Sequence, residues 1–332
     1  MLKKICSTLI AATFTLTLSG TVLAKEKLIV YTSMKESLIG ALKNKFMEQY
    51  PEVDMDYQSA GAGKLMAKIA TEKESGNIMA DVIWTSEVPD FFSMQKNGML
   101  HPYISPEVEN IVNPIPDYDG SFTAIRLGTL GIAYNTRYVK NDPPKEWEDI
   151  LKPQFKGAFG IANPALSGTS YMSVALLKSE FGWEFFEKLR ANRAKVGKGA
   201  GQVIDDTASG DLLASLAVDY ITNDKINKGA SLKLIFPKQM LVIPSPAAII
   251  KGTNNLSAAQ KFIDFLLSED GQKIIAGEGT LPVRKGITLD PKFNMPTAEE
   301  AIERAIPIDY QSLIAEKEET IKRFTQIIQG RN

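Results

Sequence analysis

The sequence carries one cysteine and one histidine among its 332 residues. A single thiol excludes an intramolecular disulfide and any metal site built on a cysteine cluster. A single imidazole excludes zinc motifs built on a histidine pair. A surplus of charge is also missing: 38 Lys+Arg stand against 39 Asp+Glu, for a net charge of −1. That argues against a bulk nucleic-acid binder, which carries a basic excess. Beyond residue 24 no apolar run is long enough to span a bilayer.

The N-terminus is different. Lys3 and Lys4 open a positive start, Thr8 to Leu18 is apolar, and Val22 and Ala24 occupy the small-residue positions that a signal peptidase reads. We read residues 1–24 as a signal peptide cleaved after Ala24, and the mature chain as exported to the periplasm. The competing reading is a membrane anchor. Cys6 lies too early, and without the small-residue box, for a lipoprotein. Cleavage leaves 308 residues (332 − 24) and a net charge of about −3 (−1 − 2), and it removes the only thiol. A thiol-free chain suits an oxidising compartment.

The mature chain alternates short β-rich runs with amphipathic helical runs. Leu28–Thr32 is an apolar strand, and Ser33 is placed to cap a helix with Leu38, Leu42 and Phe46 on one face. Val53–Tyr57 and Asp81–Trp84 read as strands; Gly61–Glu74 and Val88–Lys96 read as helices. This β-α-β-α-β-α order predicts a largely parallel, doubly wound sheet with its ligand crevice beyond the strand C-termini. A proline-rich stretch over 101–121 follows, then strand-like runs at Phe122–Leu127 and Leu130–Tyr134. Phe159–Ala162, Leu212–Tyr220, Leu232–Phe236 and Ala247–Ile250 are further strand candidates. Tyr171–Leu177, Trp183–Leu189 and Ala258–Leu267 read as helices, Pro244-Ser-Pro246 as an interruption, and Ala298–Ile328 as an amphipathic tail. The pattern implies two α/β lobes, with the chain crossing between them near Arg126–Gly131 and Pro244–Ala247. Such a molecule closes around a ligand by a hinge motion.

Several strand-to-helix junctions are rich in small polar residues: Tyr31–Glu36, Ser59–Lys64, Thr85–Glu87, Asn163–Ser170, Gly197–Gly201 and Asp219–Tyr220. A helix start offers free N–H groups and a positive dipole end, so together these loops suggest an anion cradle. Taken singly, each is an ordinary cap. Ser59–Lys64 is not a P-loop, because Gln58 and Leu65 stand where that motif needs glycine and a hydroxyl residue. No nucleophilic triad survives either: a triad has only His101 available, and no GxSxG elbow exists.

Taken as a whole, SAGAGKLMAK (59–68), ADVIW (80–84), NGMLHPY (97–103), LGIAYNT (130–136), NPALSGTSY (163–171), VDY (218–220) and LPVR (281–284) resemble segments of the extracellular solute-binding proteins of ABC importers. The similarity is to the group containing ferric-binding and hexose-phosphate-binding proteins, and it covers nearly the whole mature chain. It implies an α/β, two-lobe type II periplasmic-binding-protein fold with a ligand cleft between the lobes. The first lobe would comprise 25–127 and 246–297, the second 128–245, with a C-terminal helical segment over 298–332. It implies no enzyme activity and no cofactor, a monomer that delivers its solute to ABC permease membrane subunits, and no nucleic-acid partner. Carried over residue by residue, the ligand set is Ser33, Lys35, Gly61, Ala62, Gly63, Lys64, Ser86, Glu87, Ser167, Gly168, Thr169, Ser170, Asp219 and Tyr220, holding a small anion such as an organophosphate or phosphonate. Ferric-binding members pair two tyrosines with a histidine and a glutamate. Here Asp219 replaces one tyrosine and Ser33–Lys35 holds no histidine, so the iron alternative rests on Tyr220 and Glu87. An exported phosphohydrolase using the same cradle is the alternative of another class.

Overall fold

The computed structural model describes residues 25–116 and 118–330; residues 1–24, read above as a signal peptide, lie outside them, Cys6 included. Three parallel β-α units begin the chain. Strand β1 (Glu26–Thr32) leads to helix α1 (Glu36–Gln49), β2 (Val53–Ser59) to α2 (Ala62–Glu74), and β3 (Val82–Trp84) to α3 (Val88–Lys96). β1 pairs in parallel with both β2 and β3. The helices form because their apolar residues recur on one face: Leu38, Ile39, Leu42 and Phe46 of α1, and Leu65 and Ile69 of α2, are all buried. Phe46 then packs edge-on to Phe262, with ring centroids 5.1 Å apart.

A short β4 (Leu100–His101) precedes the long strand β5 (Thr123–Asn135). The two predicted runs on either side of Gly128 are therefore one strand, every residue of which is buried. Next come β6 (Phe159–Ala162), α4 (Gly168–Ala191), β7 (Lys195–Gly197), α5 (Ala200–Ser209), β8 (Ala214–Val218), α6 (Asp219–Asn227) and β9 (Leu232–Ile235). α4 breaks at Gly182, whose φ of 69° lies in the left-handed region. That break separates the two helices expected at 171–177 and 183–189. The predicted strand Leu212–Tyr220 ends early: Asp219 and Tyr220 open α6 instead.

The chain returns through β10 (Leu241–Ile250), and continues with α7 (Leu256–Leu267), α8 (Glu269–Gly277) and β11 (Leu281–Pro282). Pro244 and Pro246 lie inside β10 rather than interrupting the chain. The register against β5 shifts between Ser245 and Pro246, and such a bulge accommodates a residue without an N–H. The sheet order is β2-β1-β3-β10-β5-β8-β6-β7. β5 and β10 thus run antiparallel through its middle and join a β2-β1-β3 half to a β8-β6-β7 half. The tail forms α9 (Ala298–Glu303), α10 (Tyr310–Ala315) and α11 (Lys317–Gln329). α10 packs on α3 and α11 along α4, so the tail reaches both halves.

Candidate functional site

Five helices start on one cavity of about 390 Å³. The N-cap residues of α1 (Lys35), α2 (Gly61), α4 (Ser167), α5 (Gly199) and α6 (Val218) all line it. None of these five N-cap residues uses its side chain to accept from the first turn of its helix, whereas α8, α9 and α10 are capped in that way by Ser268, Thr297 and Asp309. Apart from Tyr220 N in α6, which donates to Asp219 Oδ1, the first-turn N–H groups and positive dipole ends at the cavity are thereby left for a bound group. Ser33 is not the cap of α1; Lys35 holds that position, and its N–H donates to the Tyr220 hydroxyl at 2.9 Å.

The wall is also cationic. Lys35, Lys64, Arg126 and Lys198 line the cavity, together with Ser33, Ser59, Ser86, Thr169 and Gln202, and among the described residues no aspartate or glutamate does. An anion entering here meets charge-assisted donors on several sides.

Arg126 was absent from the sequence-derived ligand set. It is 1% exposed. Its guanidinium lies over Tyr220, Cζ 4.9 Å from the ring centroid, and along the side-chain-free face of Gly128. Nη1 donates to Thr280 Oγ1 at 2.6 Å and to Asp219 Oδ1 at 3.4 Å; Nη2 reaches Ser86 Oγ at 3.5 Å; Nε has no partner. The signal available in the sequence was a lone charge inside the apolar run Phe122–Tyr134. Lys198 and Gln202 were also outside that set, although their glycine-rich loop was recognised as a polar junction.

Of the sequence-derived set, Ser33, Lys35, Gly61, Ala62, Lys64, Ser86, Ser167, Gly168, Thr169 and Tyr220 line the cavity. Four residues stand behind it. Asp219 is fully buried and accepts from Thr129 N and Oγ1 at 2.9 and 3.0 Å, from Thr280 Oγ1 at 2.6 Å and from its neighbour Tyr220 N at 2.7 Å. Its acceptor capacity is spent on the fold. Ser170 donates to the carbonyl of Ala162, inside the α4 junction. Glu87 turns away to Lys317, which also contacts Asp90 at 2.5 Å. Burial, reinforced by Asp90 and opposed by Lys317, raises the Glu87 carboxyl to about 7. Gly63 packs backbone to backbone: a Cβ there would fall inside 3.0 Å of the Ala165 carbonyl oxygen, as one at Gly61 would against Leu166. The glycines of the 59–64 loop therefore serve a close approach of α2 to the 163–167 loop across the cavity mouth.

The two residues of the iron alternative are not brought together, since Tyr220 faces the cavity and Glu87 the Lys317 pocket. Burial pushes the Tyr220 hydroxyl up to about 12, against the lowering influence of Arg126. Among the described residues no group of three or more His, Cys, Asp or Glu side chains converges as metal ligands.

This geometry, an α/β sheet wrapped round a polar cleft, is that of two-lobe periplasmic binding proteins. Residues 77–312 match the model of the bacterial extracellular solute-binding protein family, and the chain belongs to that family. Phosphoglycerate transport regulatory protein PgtC of Salmonella typhimurium is 26% identical over 188 residues, covering 55% of this chain and 46% of that protein. The structure of the periplasmic binding protein AfuA from Actinobacillus pleuropneumoniae, with fructose-6-phosphate bound, aligns with a TM-score of 0.77 and 24% identity, over 91% of this chain and 98% of that one. Iron-bound HitA from Pseudomonas aeruginosa aligns with a TM-score of 0.76 and 23% identity, over 91% and 99%. The chain is the periplasmic solute-binding component of an ABC transporter, a class that hands its solute to permease subunits. Among the described residues no helix is long and apolar enough to cross a membrane.

Proposed function

We propose that the protein captures a small anionic solute, an organophosphate, phosphonate or related oxyanion, and delivers it to its permease as a monomer without chemical turnover. Residues 1–24 act as the export signal, and lobes of 25–127 with 246–297 and of 128–245 close on the solute. The observation that carries this reading is the convergence of five helix starts lacking side-chain caps, with four cations and no carboxylate, on one cavity of about 390 Å³. The name of PgtC, a phosphoglycerate transport regulatory protein, agrees with a phosphate-bearing solute.

The test is a thermal-shift panel on residues 25–332, stripped of ligand by refolding. It holds inorganic phosphate, sugar phosphates, glycerol phosphate, alkylphosphonates and ferric citrate. A ligand at 100 times its Kd stabilises by about 2.7 kcal/mol, a shift of a few degrees in a chain of this size. A shift with a phosphate or phosphonate supports the reading. A shift that requires ferric ion and brings a phenolate charge-transfer colour replaces it with iron. Steady hydrolysis of a phosphomonoester replaces it with the enzyme.

A further inference from the structure

We infer that the solute carries a second oxyanion, a carboxylate, and that Arg126 receives it. This rests on the reading that a phosphoryl-type group occupies the helix starts.

The first argument is donor accounting. A guanidinium has five N–H donors in a fixed fork. Arg126 spends one on a short bond to Thr280 and two on long contacts at 3.4 Å to Asp219 and 3.5 Å to Ser86. Nε, which is shut off from solvent, and one Nη2 hydrogen remain without partners, in a residue that lines the cavity and is 1% exposed. Buried donors are ordinarily paired, and an unpaired one is unfavourable. Asp219 does not resolve this, because its two oxygens are held by Thr129, Thr280 and Tyr220 N. The result is a buried cation without a bidentate partner, pinned from behind by Tyr220 and Gly128. A planar carboxylate matches the free edge of that fork.

The second argument is charge balance. Lys35, Lys64, Arg126 and Lys198 give +4 on the wall, and Asp219 behind Arg126 brings the sum to +3 (4 − 1). A phosphate monoester at neutral pH supplies about −2. The wall stays positive beside a phosphate, so a further carboxylate is accommodated without a negative excess.

The test is isothermal titration of ligand-stripped residues 25–332 with matched pairs that differ in the carboxylate: 3-phosphoglycerate against glycerol 3-phosphate, phosphonoacetate against methylphosphonate, and phosphoserine against phosphoethanolamine. The expected result is at least tenfold tighter binding of the carboxylated member in a pair that binds. Arg126→Lys keeps a cation beside Asp219 but loses the fork. It should shrink the ratio toward one, whatever it does to the affinity of both members together. Equal affinity within the wild-type pairs overturns the inference whether or not the variant folds. So does a ratio unchanged in Arg126→Lys. If inorganic phosphate or a sugar phosphate binds and no carboxylated member does, the second anion falls alone. If nothing bearing phosphorus binds, the parent reading falls with it.

Discussion

On the closure proposed above, two glycines set how near the cleft walls can come, and they can be tested without touching the charged wall. Gly61 has φ −61° and ψ 145°, and Gly63 sits in the first turn of α2, so neither backbone requires glycine for its own conformation. Alanine at position 63 should even favour the helix by up to about 1 kcal/mol. The penalty lies across the cavity mouth, where each added Cβ would fall inside 3.0 Å of a carbonyl oxygen, Leu166 for Gly61 and Ala165 for Gly63. Those carbonyls cannot turn aside cheaply. The N–H groups of Leu166 and Ser167 both donate to Asn163 O at 3.0 Å, and Ala165 N donates to Asn163 Oδ1 at 2.9 Å. Relief must come from backing the two walls apart. An overpacked contact of this kind costs about 1–3 kcal/mol, which is roughly 5- to 150-fold in Kd. Gly61→Ala and Gly63→Ala should therefore weaken binding of the tightest phosphate or phosphonate of the panel by that factor. Their ligand-free melting temperatures should hold or rise. Calorimetric titration and a melt without ligand measure the two quantities. Unchanged affinity in both variants would show that the walls do not meet in the bound form. A ligand-free melt lowered by several degrees would show that the glycines serve the fold and not closure.

The Glu87–Asp90–Lys317 cluster gives two more expectations. Burial raises the folded-state Glu87 carboxyl from about 4.5 to about 7, so the folded chain holds more protons than the unfolded one across that window. Stability from this group is then full below about pH 4.5 and is lost as pH rises toward 7, by about 3 kcal/mol in all. Glu87→Gln, measured by denaturant melts, should gain on wild type steadily from pH 4.5 to 7 and level off above; a difference that stays flat with pH would refute the assignment. Lys317→Met leaves both buried carboxylates facing no ammonium, and should cost about 3 kcal/mol. That loss should be smaller at pH 5 than at pH 8, because protonated Glu87 no longer needs the cation; equal losses at both would point to packing of the lysine stem on Tyr171 instead.

Local patterns made the three opening β-α units legible, since burial periodicity there needs only neighbours within the same segment. The misreadings share a physical cause, which is that a distant partner overrode a local signal. Pro244-Ser-Pro246 reads as a break, yet β5 pairs across it and a bulge absorbs the missing donor. Ser33 is a good cap in isolation, but Lys35 takes the α1 N-cap and reaches Tyr220, 185 residues away, through its own N–H. Asp219 reads as a ligand because it is acidic and at a junction. It is drawn inward because Thr129 and Thr280, on β5 and just ahead of β11, supply the hydroxyl and N–H donors that a buried carboxylate needs. Arg126 follows from the same fact. A carboxylate held by neutral donors still carries its charge, and the arginine that neutralises it needs only proximity to do so. Its Nε is then left without a partner in a residue that lines the cavity. The residue we propose to receive the solute's carboxylate is thus one that sequence reading passes over as a stray charge in a strand, and it comes into view only when the donors around its counterion are counted.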